Sequence, residues 1–216
     1  DKKLFAIIRH DVEFSVDRAY KMAILDKKKG IKSSFFFQVK SNAYNLASEK
    51  NIKLIKEINN MGHYLGLHLY ISHIKEKDWE NLYKEINYQK QIFRYSLGIF
   101  PDRFSFHRPP RWVLENRSDK ILGLINTYGK SFFEFSDNPT KIKYYADSKH
   151  IFSYGNPLES SDYKRFQILI HPDEWTEVGF DKYQNFRILE KENNLEFMNT
   201  LNSETKVYEY PKNIKE

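Results

Sequence analysis

The sequence predicts an α/β protein built on a mainly parallel sheet, and three observations carry that expectation. Short apolar runs alternate with stretches of helical periodicity along the whole chain. The first run, Leu4 to Ile8, is unbroken and too short for an ordinary helix, so it suits a strand covered on both faces. Neither an internal repeat nor a low-complexity linker interrupts the 216 residues, so a single domain over 1–216 is expected.

Taken in order, the elements follow from their patterns. After the first strand, Ser15 caps a helix to about Lys29, with Val16, Ala19, Met22 and Ala23 inward and Gly30 as its stop. Ser33 to Val39 is the second strand. A helix from about Ala47 to Asn60 carries Ile52, Ile55 and Ile58 on one side and ends at Gly62. His63 to Tyr70 is the third strand. Asp78 caps a long helix with Trp79, Leu82, Ile86 and Phe93 in register, stopped by Gly98. Arg103 to His107 is a fourth strand, ended by Pro109 and Pro110. A helix around Asp119 to Tyr128 then leads to strands over Ser131–Ser136, Lys141–Asp147 and Phe166–His171. Ser153 to Asp162 reads as a surface loop, and a last helix covers about Asp181 to Leu201.

Composition narrows the chemistry. There are no cysteines, which removes disulfides, thiolate metal sites and cysteine nucleophiles. Any metal must be held by His, Asp or Glu. The formal net charge is +6, but the lysines are scattered, which argues for solubility with some attraction to anionic partners and against nucleic acid. No apolar run has the length of a membrane span. No signal peptide is visible, which favours a cytoplasmic location, although the chain starts at Asp1 and a targeting segment can precede it.

The ionisable residues gather after the apolar runs. Arg9, His10, Asp11 and Glu13 follow the first strand, His68 and His73 the third, and His107 and His171 end two others. In parallel α/β folds those strand ends carry the chemistry. Asp11 and Glu13 have i, i+2 spacing and point the same way from a strand; two such carboxylates repel unless a cation or a shared proton intervenes. The competing reading is a solvated loop whose acids cap the next helix. His68 and His73 with a carboxylate make a two-imidazole, one-carboxylate set suited to zinc and similar ions. His63, five residues before His68, faces the other way. Arg108, held between His107 and two prolines, can orient a carboxylate or be an ordinary surface arginine.

These segments together resemble the polysaccharide deacetylase family, the NodB-homology domains of carbohydrate esterase family 4. RHDVE resembles the family's first motif, GHYLGLHLYISH the second, FHRPP the third, YADS the fourth and ILIHPDEW the fifth, all in order. The resemblance implies a distorted (β/α) barrel of about seven strands, short of the usual eight. It implies Asp11 as catalytic base and His171 as general acid. Arg108 is then the groove arginine, with Asp147 as its partner. It implies Glu13, His68 and His73 as ligands of a divalent ion, with zinc the expected metal. Glu13 stands where the family usually has Asp, and His73 stands one residue beyond the usual place, which is Ser72 here. The implied activity is removal of N- or O-acetyl groups from a sugar or glycan. The ion would polarise the acyl oxygen and a water, Asp11 would take the water proton, and His171 would protonate the leaving amine. Tyr70, Trp112 and Trp175 are candidate platforms for sugar rings, or else packing residues. A hydrolase of a non-sugar amide and a metal-free glycan-binding domain are the rival readings.

Overall fold

In the computed structural model, residues 4–134, 141–159, 164–177, 179 and 181–205 are described. The chain divides into two compact units after Glu174. The first holds β1 (Phe5–Val12), β2 (Ser34–Phe37), β3 (Tyr64–Tyr70), β4 (Arg103–His107), β5 (Lys120–Ile121), β6 (Leu124–Asn126), β7 (Lys143–Ala146) and β8 (Arg165–Ile170). It also holds the helices α1 (Val16–Lys28), α2 (Glu49–Asn60) and α3 (Trp79–Leu97). The second contains α4 (Lys182–Glu204), capped by the Asp181 carboxylate, which accepts from the backbone N–H groups of Tyr183 and Gln184.

The strands form one sheet in the order β5-β6-β4-β3-β2-β1-β8-β7. All pairings are parallel except the β5–β6 hairpin at one edge. The parallel strands β1–β4 and β6–β8 thus supply the seven expected. Strand parity divides the side chains between two environments. Phe35, Phe37, Leu67, Leu69, Phe104 and Phe106 face outward and join the core with Ala19, Ala23, Ile55, Ile58, Leu82, Ile86 and Phe93 of the helices. Serine and aspartate caps start those helices as the sequence suggests: Ser15 Oγ accepts from Arg18 N–H, and Asp78 Oδ1 from Asn81 N–H.

The opposite face of the sheet curls around a polar interior. Arg9 on β1 reaches Thr127 Oγ1 at 2.7 Å and Tyr128 Oη at 3.0 Å, just beyond β6, and Gln167 Oε1 on β8 at 3.1 Å. Gln167 in turn donates to the carbonyls of Thr127 and Phe132. Side chains of strands far apart in the order therefore meet inside the curl, as a half-barrel requires. His10, one residue on from Arg9, faces outward instead, against Asp26 of α1 at 2.8 Å and stacked on Phe35.

One predicted element changes type. Asp119 to Tyr128 is not a helix but the β5–β6 hairpin. Leu122 and Gly123 form its two-residue turn with φ of 49° and 79°, the left-handed pair that a tight hairpin demands. Ser131–Glu134 is a turn rather than a strand, with Asp119 accepting from the Ser131 N–H and hydroxyl; Phe135 and Ser136 lie outside the described residues. So do the last three residues of the loop expected over Ser153–Asp162. No helix among the described residues is long and apolar enough to cross a membrane.

Candidate active site

At the C-terminal rim of the parallel strands three side chains converge. Glu13 follows β1, His68 lies in β3 and His107 ends β4. His107 Nδ1 is 2.7 Å and His68 Nε2 3.1 Å from Glu13 Oε1, and the two ring nitrogens are 3.3 Å apart. Pleat and register explain the meeting. His68 pairs with Ser105 across the β3–β4 ladder and Tyr70 with His107, so these residues share the inner face.

Hydrogen bonds behind the His68 ring fix which of its nitrogens faces Glu13. Ser105 Oγ donates to Asp11 Oδ1 at 3.1 Å, so its oxygen is left to accept from His68 Nδ1–H at 2.8 Å. The lone pair of neutral His68 then lies on Nε2, facing a carboxylate oxygen. Gln38 Nε2 lies 3.2 Å from His107 Nδ1, the nitrogen that also meets Glu13. With both rings neutral, two lone pairs would face one carboxylate oxygen, so either a proton shared with Glu13 or a metal cation has to lie among them. Burial works to raise the Glu13 carboxyl. The hydrogen bonds and charges of His107 and His68 outweigh it and hold the group well below the usual carboxylate range. Two imidazoles and an ionised carboxylate are a donor set for zinc or a similar divalent ion.

Asp11 lies one pleat deeper and is 1% exposed. Its second oxygen meets Arg9 Nη2 at 3.3 Å. Beside the cluster, His171 Nε2 is 3.9 Å from Glu13 Oε1, and His171 Nδ1 is 2.7 Å from Asp147 Oδ1. Both Asp147 oxygens also accept from the His171 backbone N–H. Burial works to lower the His171 imidazole, but the Asp147 hydrogen bond and charge push it up to about 9. Nearby Asp173 is raised to about 7, chiefly by burial.

The structure therefore brings Asp11, Glu13, His68, Asp147 and His171 to one end of the sheet. Of the two remaining expected site residues, one stands elsewhere. His73 is half exposed and turns to Glu85 Oε2 on α3 at 3.3 Å, because Ile71 is buried and the chain turns back at Ile74. His107 holds the position given to it. Arg108 follows with φ of 46°, and Asp147 turns its carboxylate to His171 instead of to Arg108. The guanidinium beside Asp11 comes from Arg9. Arg9, Ser105 and His107 are thus the residues that motif reading passes over. Their signal was a strand-end position and pleat parity, which the sequence displays only once the strand register is known. Among the aromatic candidates, Trp112 is buried against Trp79 and belongs to packing. Tyr70 is 39% exposed and stacks on His107. Trp175 lies in the second unit.

No protein-family model and no curated protein matches the sequence. Solved structures do match in fold. A family 4 carbohydrate esterase from Streptomyces lividans in complex with acetate superposes with a TM-score of 0.50 at 13% identity, covering 81% of each chain. The chitin deacetylase of the fungal pathogen Colletotrichum lindemuthianum gives 0.52 at 13% identity, over 87% of this chain and 81% of that one. A mutant of a family 4 pseudoenzyme with restored enzymatic activity gives 0.52 at 13% identity, over 91% of this chain and 64% of that one. The curled parallel sheet with its flanking helices is the NodB-like (β/α) barrel fold of the family 4 carbohydrate esterases and polysaccharide deacetylases.

Proposed function

We propose that this chain is a metal-dependent hydrolase that removes acetyl groups from an acetylated sugar or glycan. The observation that carries the reading is the convergence of Glu13, His68 and His107 beside the His171–Asp147 pair at the strand ends. Glu13, His68 and His107 would hold the ion, with zinc favoured by two nitrogen donors and one oxygen. When bound, the ion would supply polarisation of the acyl oxygen and acidification of a water, whose released proton passes to solvent, from which His171 Nε2 is reprotonated between turnovers.

The remaining chemistry belongs to the chain. His171, as an imidazolium whose Nδ1–H is held by Asp147, delivers its Nε2 proton to the leaving amine or alkoxide. Asp147 fixes the ring through both its side-chain and backbone contacts. Asp11, sealed by Arg9 and Ser105, acts through Ser105 on His68 and keeps its Nε2 lone pair directed at the cluster. Tyr70, stacked on His107 at the rim, offers an aromatic face for a sugar ring. Likeness of fold to carbohydrate deacetylases supports the substrate class.

Metal analysis of protein purified without chelator, followed by acetate release from N- and O-acetylated sugars, tests the reading. Stoichiometric divalent metal with acetate release is expected. Metal with hydrolysis of non-sugar amides only would redirect it to another amide substrate. Glycan binding without metal or turnover would make the chain a binding domain.

A further inference from the structure

Glu174 stands outside the Glu13–His68–His107 cluster, yet its carboxylate anchors the loop that carries Asp147. Glu174 Oε1 accepts from Lys149 N–H at 2.9 Å and Oε2 from His150 N–H at 2.7 Å. Lys149 and His150 are consecutive left-handed residues, with φ of 64° and 61°, a conformation that side-chain-bearing residues avoid. Successive N–H groups in such a turn form a concavity for an anion, and the Glu174 carboxylate fills it. Its side chain is only 10% exposed.

The same loop faces His171 on its other side. Asp147 receives the His171 ring at Nδ1 and the His171 backbone N–H. Glu174 N–H donates to the His171 carbonyl at 3.0 Å. The contacts close a circuit from His171 through Asp147 and the Lys149–His150 turn to Glu174 and back. Carboxylate and imidazole atoms of Asp147, His171 and Glu174 also lie within 4.8 Å of one another. A second cation is not favoured there, because both Glu174 oxygens already take backbone N–H groups.

We propose that Glu174 is a positioning residue: by holding the Lys149–His150 turn it sets Asp147 against His171 Nδ1 and keeps His171 Nε2 directed at the cluster. Its kinetic consequence rests on the deacetylase reading above; its structural consequence does not.

The test compares wild type, Glu174→Ala and Glu174→Ala/Lys149→Gly, since glycine accepts the left-handed conformation without an anchor. In the metal-free proteins, the low-field proton NMR signal of the His171–Asp147 hydrogen bond should be present in wild type, lost in the single variant and restored in the double. Acetate release from an N-acetylated sugar, whose amine must be protonated to leave, should fall about 10–100-fold in the single variant, the scale seen when a supporting partner is removed. Release from an aryl acetate, whose leaving group needs no proton, should change less than about threefold. An unchanged NMR signal in Glu174→Ala, or equal losses on both substrates, overturns the proposal. Absence of acetate release by wild type would sink the deacetylase reading alone, and the NMR comparison would still decide the role of Glu174. Should Glu174→Ala not fold, Glu174→Gln, with one acceptor left, should weaken the signal; an unweakened signal overturns the proposal.

Discussion

Asp11 in β1 and Glu13 just beyond its end point the same way but keep different company. Glu13 meets two imidazoles at the rim, whereas Asp11, a pleat deeper, meets a guanidinium and a hydroxyl. Asp11→Asn therefore separates a proton acceptor from a support for His68. We expect metal affinity to fall about 10–100-fold, the scale for loss of a group behind a ligating histidine. Full metal affinity with lost turnover, measured by competition with a chromogenic chelator, would return Asp11 to the role of base. The imidazole of His171 supplies a pH prediction. Its folded value is raised to about 9 against an ordinary 6.5, through Asp147. The folded state then binds the proton more tightly, so this contribution is fully present below about 6.5 and lost as pH rises towards about 9. In chelator, the unfolding free energy should decline across that window by on the order of a few kcal/mol, and Asp147→Asn should flatten the decline. A wild-type profile already flat there would refute the pairing. His107 shows what the sequence hides at this scale. Its place after a strand was visible, but its approach to Glu13 depends on the β3–β4 register, which no local motif encodes. His73 fitted the motif spacing better, yet the turn at Ile71–Ile74 takes it to Glu85.

At the scale of elements, what the sequence showed depends on whether local chemistry or distant contacts define the element. Helices α1 and α3 announce themselves through Ser15, Asp78 and Gly98, each of which meets a backbone group within a few residues. The β5–β6 hairpin does not, because strands of two and three residues are too short for periodicity and Leu122 is an unusual residue for a left-handed turn. β3 depends on something else that sequence leaves silent, the absence of a side chain at Gly66. A Cβ there would lie 2.6 Å from the Phe36 ring and 2.7 Å from Arg103 Cγ. Phe36 is fully buried and has little room to yield. Gly66→Ala should cost about 1–3 kcal/mol, the usual range for overpacking, and should displace His68 two residues on. Denaturant unfolding measures the first effect and metal affinity the second. A variant as stable as wild type would show that the interior of the curl is looser than its contacts imply.

Across the whole first unit, the fold draws side chains from distant strands into one interior and then leaves three of them at its rim. Arg9 joins β1 to the segment after β6 and to β8, and Asp11 and Ser105 carry that order upward to His68. Glu13, His68 and His107 come from β1, β3 and β4, so an ion held by them ties together strands that only the folded sheet assembles. Such an ion binds the native state and not the open chain, and its binding energy becomes folding energy. Zinc added to chelator-treated protein at about a hundredfold excess over Kd should add about 2.7 kcal/mol and raise Tm by roughly 5–10 °C for a chain of this size. His107→Ala removes one of the three donors and should abolish the increase, while His73→Ala, whose ring sits on Glu85 beside α3, should keep it. Differential scanning calorimetry with and without zinc reads both variants directly. A zinc-dependent rise that survives in His107→Ala and vanishes in His73→Ala would mean that the β3–α3 loop rearranges to bring His73 to the metal, and the ligand set would pass from His107 to His73.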